Sequence, residues 1–525
     1  MSSFDVLIQG GTLMPGDGEG FLSDIAIKAG KIVAIGPHLP VNQAASVVDA
    51  TTQWVCPGFI DLHAHSALES FQRPDLAPKI AQGFTTELIH PDGVAPAPVQ
   101  PHQRINRRLY LQGLEGIGPP EWRWTSLADF LHVLHATHPA TTLVPSVGHN
   151  AIRDFVMGSE NRKSSADELL AMRRQIRMAA ELGARMFSLG LIYLPGMYSD
   201  TAELTALAEE AASCHIPLMP HIRNEADRVL DAVSEMVRVC EKMDASLHIS
   251  HLKVVGNAHL LDPLLELIDR TGTTMDLTFD QYPYGAGSTL LTALLPPWVL
   301  TGGAPAILDR LNDADARRQM THDVMAGIPG WENLYQQCGP HNIIIAQTEI
   351  QAEDAVGHSL VEIGRKRHES PWDAVLNLLL ESRLNVTMVD HYATEDIVRK
   401  IFQHPKALVG TDGIFGMHPH PRLFGTAARV LGRYAIREGL ITPVEAIRRL
   451  TASAADRLGL SDRGRLRTGL RADLVVLDPN DYLDTATYEV PRQYPTGVTQ
   501  VFVAGVAVWH NGLPTGARPG GVLGL

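Results

Sequence analysis

The sequence predicts an α/β protein, namely a (β/α)8, TIM-like barrel with a small β-sandwich built from both chain ends and an inserted lid segment. Both ends are rich in short strand-like runs, and the middle alternates such runs with helical stretches. About 100 residues late in that middle carry weak strand signals. Repeated βα units are typical of a parallel barrel. A length of 525 residues accommodates a large barrel and an extra module.

The two chain ends are predicted to fold together. Short apolar runs separated by Gly, Asp and Pro turns occur at the start, in FDVLIQGGTL, DIAIKAGKIVAIG and ASVVDATTQWVCPG. The same pattern of short apolar runs and turn residues occurs at the end of the chain, in ADLVVLDPND and VTQVFVAGVAVWHNG. Because chain termini often lie close in space, we expect residues 1–58 and 461–525 to form one β-sandwich.

Residues 59–460 are predicted to form the barrel. The helix candidate SADELLAMRRQIRMAAELG opens with a serine and carries acids in its first turn, as helix starts prefer. An insertion at about 290–345 is expected to cover the barrel mouth as a lid. Nine runs are strand candidates: FIDLH, GFTTELIH, TTLVPSVGH, RMFSLG, IPLMPHI, SLHISH, TMDLTFD, VTMVD and ALVGTD. That is one too many for eight strands, and the doubt centres on TMDLTFD and VTMVD.

Composition limits the classes of partner. The net charge of −14 argues against nucleic acid and anionic membranes, and no apolar stretch reaches the ~18 residues of a membrane helix. Four cysteines without C-x-x-C pairing, and an N-terminus without signal-peptide features, predict a reduced, cytoplasmic protein. We expect a small-molecule substrate, and the sequence leaves the oligomeric state open.

Polar residues follow several of the predicted strands. His63 and His65 share one face of the first barrel strand, because strand side chains alternate. His221 and His251 end two later strands, with His248 just before His251, and Asp412 follows the last one. Each alone fits a surface or capping role. Together, at the end of the barrel where active sites lie, they predict a metal site.

The sequence resembles the amidohydrolase superfamily, and within it the N-acyl-D-amino-acid deacylases (D-aminoacylases), over nearly the whole chain. The resemblance implies the metal ligands His63, His65, His221 and His251, with Asp412 as catalytic aspartate and further ligand. It rests on PGFIDLHAH, GHNAIRDFVMG, FSLGLIYLPGMYSDTAEL, HIRNEAD, ISHLKVVG, DQYPYGAGST, GTDG followed by HPHPRLFGT, YPTGVTQVFVAGVAV and TGARPG.

One position departs from that family. Where similar proteins carry a metal-binding cysteine, this chain has IHPDGVAPAP, which aligns Asp92 with the cysteine. A carboxylate can bind one metal ion or bridge two, which would make an all-N/O site. The alternative is that Asp92 only forms a Pro-Asp-Gly turn. His90 is a lesser ligand candidate.

The same resemblance implies a substrate shell. Arg422 would bind the substrate carboxylate, since its planar fork suits a bidentate contact. Arg223 and Glu225 fit a local ion pair as well as a substrate contact. The remaining implied substrate residues are Lys253, Tyr193, Tyr282, Tyr284 and Ser288.

These residues predict a metal-dependent hydrolase of linear amides that cleaves the amide bond of N-acyl amino acids, with the D series favoured by the resemblance. It would use one or two divalent metal ions, and zinc is the favoured ion. Asp412 would take a proton from the attacking water and give it to the leaving amine. One alternative is a cyclic amide hydrolase of the hydantoinase or dihydroorotase kind. Those usually need a bridging carbamylated lysine, whereas the RMFSLG strand ends in Ser188, Leu189 and Gly190. The other alternative is a metal-free, non-catalytic scaffold.

Overall fold

The computed structural model describes residues 3–525, apart from the side chains of residues 350 and 351. The strands in this part of the chain are β1 (Phe4–Leu13), β2 (Phe21–Lys28), β3 (Lys31–Gly36), β4 (Ala44–Asp49), β5 (Trp54–Pro57), β6 (Phe59–Ala64), β7 (Phe84–Ile89), β8 (Thr142–Pro145), β9 (Val147–Gly148), β10 (Phe187–Gly190), β11 (Leu218–His221), β12 (Leu247–Ile249), β13 (Leu277–Gln281), β14 (Ala286–Leu290), β15 (Ile343–Gln347), β16 (Thr387–His391), β17 (Ala407–Val409), β18 (Leu474–Leu477), β19 (Val498–Val503), β20 (Val506–His510), β21 (Leu513–Pro514) and β22 (Gly521–Val522).

The α-helices of the described chain are α1 (Ala77–Ile80), α2 (Arg104–Glu115), α3 (Leu127–His135), α4 (His149–Met157), α5 (Ala166–Glu181), α6 (Thr201–Ser213), α7 (Val229–Met243), α8 (Leu261–Thr271), α9 (Pro297–Leu300), α10 (Gly303–Asn312), α11 (Ala314–Ala326), α12 (Leu334–Cys338), α13 (Leu360–Arg367), α14 (Pro371–Glu381), α15 (Glu395–Gln403), α16 (Arg422–Ala428), α17 (Pro443–Leu450) and α18 (Ala452–Arg457). A π-helix, Arg429–Arg437, continues α16.

The predicted start of α5 is a capping box. The Ser165 hydroxyl accepts a hydrogen bond from the Glu168 backbone N–H at 3.3 Å. In return, the Glu168 carboxylate accepts one from the Ser165 N–H at 2.8 Å. The two side chains thus satisfy two N–H groups that have no partner inside the helix, which fixes where α5 begins.

The barrel is built from parallel strands in chain order: β6, β7, a third strand split into β8 and β9, then β10, β11, β12, β13 and β17. A parallel bridge between Ala64 and Gly413 closes the ring between the first and last strands. Apolar residues such as Phe187, Leu218 and Leu247 are fully buried on these strands. The α/β barrel predicted from the sequence is confirmed.

The surplus strand candidate is VTMVD. It forms β16, which pairs antiparallel with β14 and β15 in a separate three-stranded sheet. TMDLTFD instead supplies β13, between β12 and β17 of the barrel. Both strands are buried apolar runs of similar length, so their periodicity alone does not distinguish a barrel strand from a strand of the insertion.

The insertion follows β13. Its elements, β14–β16 and α9–α14, run from Ala286 to His391 and contribute Leu294, Ile307 and Trp372 to a hydrophobic core. Leu194 and Val255, outside the insertion, belong to the same core. The elements of the insertion extend further along the chain than residues 290–345, because β14 and β16 pair with each other and bracket the helical part. The exact domain boundaries stay a prediction.

Strands from both chain ends share one sheet. β5 pairs antiparallel with β18, so the sheet runs β21-β20-β19-β18-β5-β1-β2-β3, with β4 alongside β1. β22 leaves this sheet and pairs with β8 of the barrel. Within the described residues, no helix combines the length and the apolar character needed to cross a membrane.

Candidate metal centre

Six of the predicted site residues meet at the carboxyl ends of the barrel strands. His63 lies on β6 and His65 one residue beyond it, while His221 is the last residue of β11. His251 and Asp412 follow β12 and β17 within three residues. Together with Asp92, they have exposed fractions of 0–5%. The site is therefore buried under the barrel mouth.

A first group of possible metal ligands consists of His63, His65, Asp92 and Asp412. The Nε2 atom of His65 lies 3.2 Å from Asp412 Oδ1 and 3.6 Å from Asp92 Oδ2. The Nε2 atom of His63 lies 3.4 Å from Asp92 Oδ2 and 3.6 Å from Asp412 Oδ1. Nitrogen and oxygen atoms thus converge from three separate parts of the barrel.

A second group consists of Asp92, His221 and His251. His221 Nδ1 lies 2.9 Å from His251 Nε2, and these atoms are 3.6 Å and 3.4 Å from Asp92 Oδ1. Asp92 therefore turns one carboxylate oxygen to each group. This is the arrangement expected of a carboxylate that bridges two metal ions.

Asp92 is also a turn residue, so the two roles considered for it coexist. The Val94 N–H donates to the Pro91 carbonyl at 3.1 Å, and both central residues, Asp92 and Gly93, have positive φ angles of 54° and 68°. Asp-Gly favours such a turn. A Cβ on Gly190 would lie 1.9 Å from the Asp92 carbonyl oxygen, so only glycine at the end of β10 lets this turn approach the centre.

Two further ligand candidates share this left-handed backbone. His251 has φ 30° and Asp412 has φ 48°. Such angles are unfavourable for residues other than glycine, and they occur at functional sites where the surrounding structure holds them. For Asp412, a hydrogen bond from its N–H to the His63 carbonyl, at 2.9 Å, ties the last barrel strand to the first.

Three carboxylates lie behind the histidines. Glu115, the last residue of α2, contacts His65 Nδ1 at 2.6 Å. Asp280 on β13 lies 3.6 Å from His63 Nδ1 and accepts a hydrogen bond from the His251 N–H. Glu225 lies 3.1 Å from His251 Nδ1 and 3.6 Å from His221 Nε2. Sequence reasoning missed Glu115 and Asp280, although the end of a barrel strand pointed to Asp280.

The electrostatic field in the site is negative. Burial lowers the pKa of His63, but the nearby Asp92, Asp412 and Asp280 outweigh burial and raise the pKa to about 10. Burial raises the pKa of Asp92, yet the charge of His63 and the nearby imidazoles of His221 and His251 hold that pKa well below its usual range. The centre thus favours a positive charge, which a bound cation supplies.

The residues fit a divalent metal ion. Among the described side chains, His65 Nε2 and Asp92 Oδ1 are buried and have no hydrogen-bond partner, although both lie inside the two groups. Imidazole and carboxylate are ligands of zinc and related ions. A metal ion would satisfy these atoms, whereas leaving them unpaired costs free energy.

Arg422 begins α16 next to the first group and is fully buried. Its Nη2 atom pairs with Asp412 Oδ2 at 3.0 Å and donates to the Ser288 carbonyl at 3.0 Å. Its Nε and Nη1 atoms have no hydrogen-bond partner among the described residues. Burial raises the pKa of Asp412, but the Arg422 guanidinium and His63 hold that pKa below its usual range.

The other predicted substrate residues differ in position. The Tyr282 ring packs on the Arg422 guanidinium with its centroid at 4.5 Å, and the Tyr193 ring lies 5.1 Å from that of His221. Lys253 Nζ pairs with Glu225 at 2.8 Å. Ser288 meets Arg422 through its carbonyl. Tyr284 lies apart from the two ligand groups, with its ring against Arg429 and His420.

Three other residues weighed in the sequence have other partners. His90 Nδ1 donates to the Ser146 carbonyl at 3.4 Å, and this histidine is in neither ligand group. His248 contacts Asp280 at 3.1 Å. Arg223 pairs with Glu235 rather than with Glu225. The local ion pair of Arg223 with Glu225 is therefore absent.

Comparison with known proteins identifies relatives over the full chain. A sequence model described as the amidohydrolase family matches residues 311–509. An N-acyl-D-aspartate deacylase of Alcaligenes xylosoxydans xylosoxydans is 32% identical over 99% of this chain and 95% of the relative. A D-aminoacylase of the same organism is 32% identical over 99% of this chain and 97% of the relative.

A solved structure shares the architecture. The N-acyl-D-glutamate deacylase from Bordetella bronchiseptica, complexed with zinc and a phosphonate that mimics the tetrahedral intermediate of the reaction, superposes with a TM-score of 0.84. It is 31% identical to this chain, and the match covers 99% of this chain and 100% of the other.

Proposed function

The chain belongs to the N-acyl-D-amino-acid deacylase (D-aminoacylase) family of amidohydrolases, and we propose that it hydrolyses the amide bond of N-acyl-D-amino acids with the help of a bound metal. The products would be a carboxylate and a free amino acid. One observation carries the proposal: Asp92 turns one oxygen to each of two ligand groups, beside the free donors of Arg422.

The residues that would hold metal are His63, His65, Asp92, His221, His251 and Asp412. Zinc is the favoured ion, since the histidine ligands suit it and the Bordetella bronchiseptica relative was solved with zinc. Such an ion makes a water molecule more acidic and polarises an amide carbonyl.

Asp412 moves the proton in the proposed reaction. Its Oδ1 atom faces the first ligand group, and its Oδ2 atom is held by Arg422. With its pKa held low by the Arg422 and His63 charges against the effect of burial, the carboxylate starts ionised and can accept the proton of the attacking water. The protonated Asp412 then donates to the leaving amine, which leaves poorly without a proton.

Arg422 would bind the carboxylate of the substrate. Its Nε and Nη1 atoms have no hydrogen-bond partner among the described residues and can each donate to a charge-assisted contact, whereas Asp412 and Ser288 occupy Nη2. The Tyr282 ring packs on the guanidinium and limits its movement. This contact would place the scissile amide next to Asp412.

The two alternatives receive less support. A cyclic amide hydrolase would need a bridging lysine, but Asp92 lies between the two ligand groups and Lys253 is ion-paired with Glu225. At the end of β10, where such a lysine would be expected, the chain has Ser188, and its hydroxyl donates to the His90 carbonyl at 2.6 Å. A metal-free scaffold would leave His65 Nε2 and Asp92 Oδ1 buried without a partner.

We further propose a cytoplasmic location. The four cysteines, Cys56, Cys214, Cys240 and Cys338, are all unpaired, which supports a reducing compartment.

Metal retention after removing a ligand tests this proposal. His221→Ala and His251→Ala should each lose metal and deacylase activity while the circular dichroism of the folded protein is kept. His404→Ala is the matched control, because His404 contacts Asp269 and is in neither ligand group. If either ligand variant kept wild-type metal content and turnover, the metal centre would be assigned to the wrong residues.

A further inference from the structure

We propose that Glu225 and Glu115 are positioning residues, each serving one of the two ligand groups by fixing which ring nitrogen a histidine turns toward the metal. The inference rests on the proposed function, because it needs a bound metal. It adds two residues that lie behind the ligands and come from separate parts of the chain.

Glu225 lies behind both histidines of the second group. Its Oε1 atom is 3.1 Å from His251 Nδ1, and its Oε2 atom is 3.6 Å from His221 Nε2. The two histidines therefore present opposite nitrogens to Asp92: Nδ1 of His221 at 3.6 Å and Nε2 of His251 at 3.4 Å. One carboxylate thus faces the rear nitrogen of each ring.

This geometry selects the tautomers. A histidine binds a metal through an unprotonated nitrogen, so the proton must lie on the other nitrogen, where a carboxylate accepts it. With Glu225 as acceptor, His251 carries its proton on Nδ1. The same carboxylate lies 3.6 Å from His221 Nε2, beyond hydrogen-bond distance, and its negative charge favours a proton on that nitrogen. The nitrogens that face Asp92 are then free to bind the ion.

Glu225 is itself held in place from two sides. Lys253 Nζ donates to its Oε2 atom at 2.8 Å. The Glu225 N–H donates to Glu332 of the insertion at 2.6 Å. Lys253 Nζ also lies 3.0 Å from His251 Nδ1. Because a lysine only donates, a proton on Nδ1 can pair with Glu225 and not with Lys253. The side chain is buried, which limits alternative positions.

Glu115 serves the first group in the same way. It is the last residue of α2 and lies 2.6 Å from His65 Nδ1. A proton on Nδ1 leaves His65 Nε2 free, and that atom faces Asp412 at 3.2 Å and Asp92 at 3.6 Å. Because Glu115 and Glu225 lie on different elements and touch different histidines, their effects should be separable.

The test measures zinc binding to metal-free protein by competition with a chelator, with metal content as a second readout. Glu225→Gln should weaken the binding of one zinc ion by roughly 10- to 100-fold, and Glu115→Gln should weaken the other. The loss from Glu225→Gln should not add to that of His251→Ala, but should add to that of His65→Ala. Because Glu225 also pairs with the buried Lys253, zinc affinity is compared at a temperature at which circular dichroism shows each metal-free protein to be folded.

Glu203→Gln is the matched control, since Glu203 is a buried carboxylate that contacts His149 at 3.0 Å, outside both groups. If Glu225→Gln does not fold, Glu225→Asp replaces it. Zinc binding should then weaken less, because the shorter side chain keeps the negative charge but holds it farther from the histidines. Unchanged zinc affinity in the folded Glu225 variant, or an equal loss in Glu203→Gln, would overturn the inference. A wild-type protein that binds no zinc would instead contradict the proposed function.

Discussion

Removing the Arg422 side chain should discriminate between substrates with and without a free carboxylate. Arg422 is fully buried, and its Nε and Nη1 atoms have no partner among the described residues. In Arg422→Ala, a substrate carboxylate would lose these donors and would be left in a buried, negative site. A substrate whose carboxylate is replaced by an amide has no such contact to lose.

The expected magnitude follows from the contacts. A hydrogen bond to a charged group contributes roughly 1.5–3 kcal/mol, so the loss should be about one to two decades in kcat/KM for carboxylate substrates. The variant also removes the partner of Asp412 at 3.0 Å, which should slow both substrate classes. The ratio of the two losses therefore isolates the carboxylate contact.

The assay measures kcat/KM for an N-acyl-D-amino acid and for its carboxamide, in the wild type and in Arg422→Ala. Arg429→Ala is the control, because Arg429 is a largely buried arginine that pairs with Asp484 and Glu395. Equal losses for the acid and the amide would refute the carboxylate-binding role of Arg422.

Two further predictions concern Asp92 and Glu332. Asp92→Asn should weaken metal retention, and Asp92→Cys should shift the metal preference toward zinc, because a thiolate is softer than a carboxylate; unchanged metal content and an unchanged zinc-to-manganese activity ratio would reduce Asp92 to a turn residue. Burial and the charge of Glu225 raise the pKa of Glu332 from 4.5 to about 8. The folded protein therefore holds a proton on Glu332 more tightly than the unfolded chain does, and this contribution to the unfolding free energy is full below pH 4.5 and is lost as the pH rises through 8. In the wild type, the unfolding free energy should decline over this range by up to about 1.4 kcal/mol per pH unit, and Glu332→Gln should remove that decline. Denaturant unfolding of both metal-free proteins between pH 5 and 8.5 checks this, and parallel pH curves would contradict it.

Much of the metal centre could be predicted because the ends of strands can be recognised in a sequence as polar residues that follow apolar runs. His63 and His65 share a strand face, and His221, His251 and Asp412 each follow an apolar run. Parallel barrel strands bring such ends together. The structure groups these residues with Asp92 as a set that can hold metal.

The partners behind the ligands could not be predicted in the same way. Glu115 ends a helix 50 positions after His65, and only the tertiary fold brings them to 2.6 Å. Glu225 and Arg223 are near neighbours in sequence, yet Glu225 turns inward to Lys253 and Arg223 turns to Glu235. Local spacing does not report which way a loop side chain turns.

The insertion shows a second limit. VTMVD has the length and apolarity of a barrel strand, but β16 pairs antiparallel with β14 and β15 in a separate sheet. Pairing partners distant in the chain decide this, since a buried strand has the same pattern in either sheet. Its partners β14 and β15 begin about 100 and about 45 residues earlier in the chain.

The central claim is tested most directly by measuring hydrolysis of matched N-acyl-D- and N-acyl-L-amino acids by the purified protein, stripped of metal and then reloaded with zinc. The account predicts release of the free amino acid from the D series, dependence on added metal, and loss of that activity in His221→Ala. Metal binding without cleavage of any N-acyl-amino acid, or equal cleavage by the metal-free protein, would contradict the account.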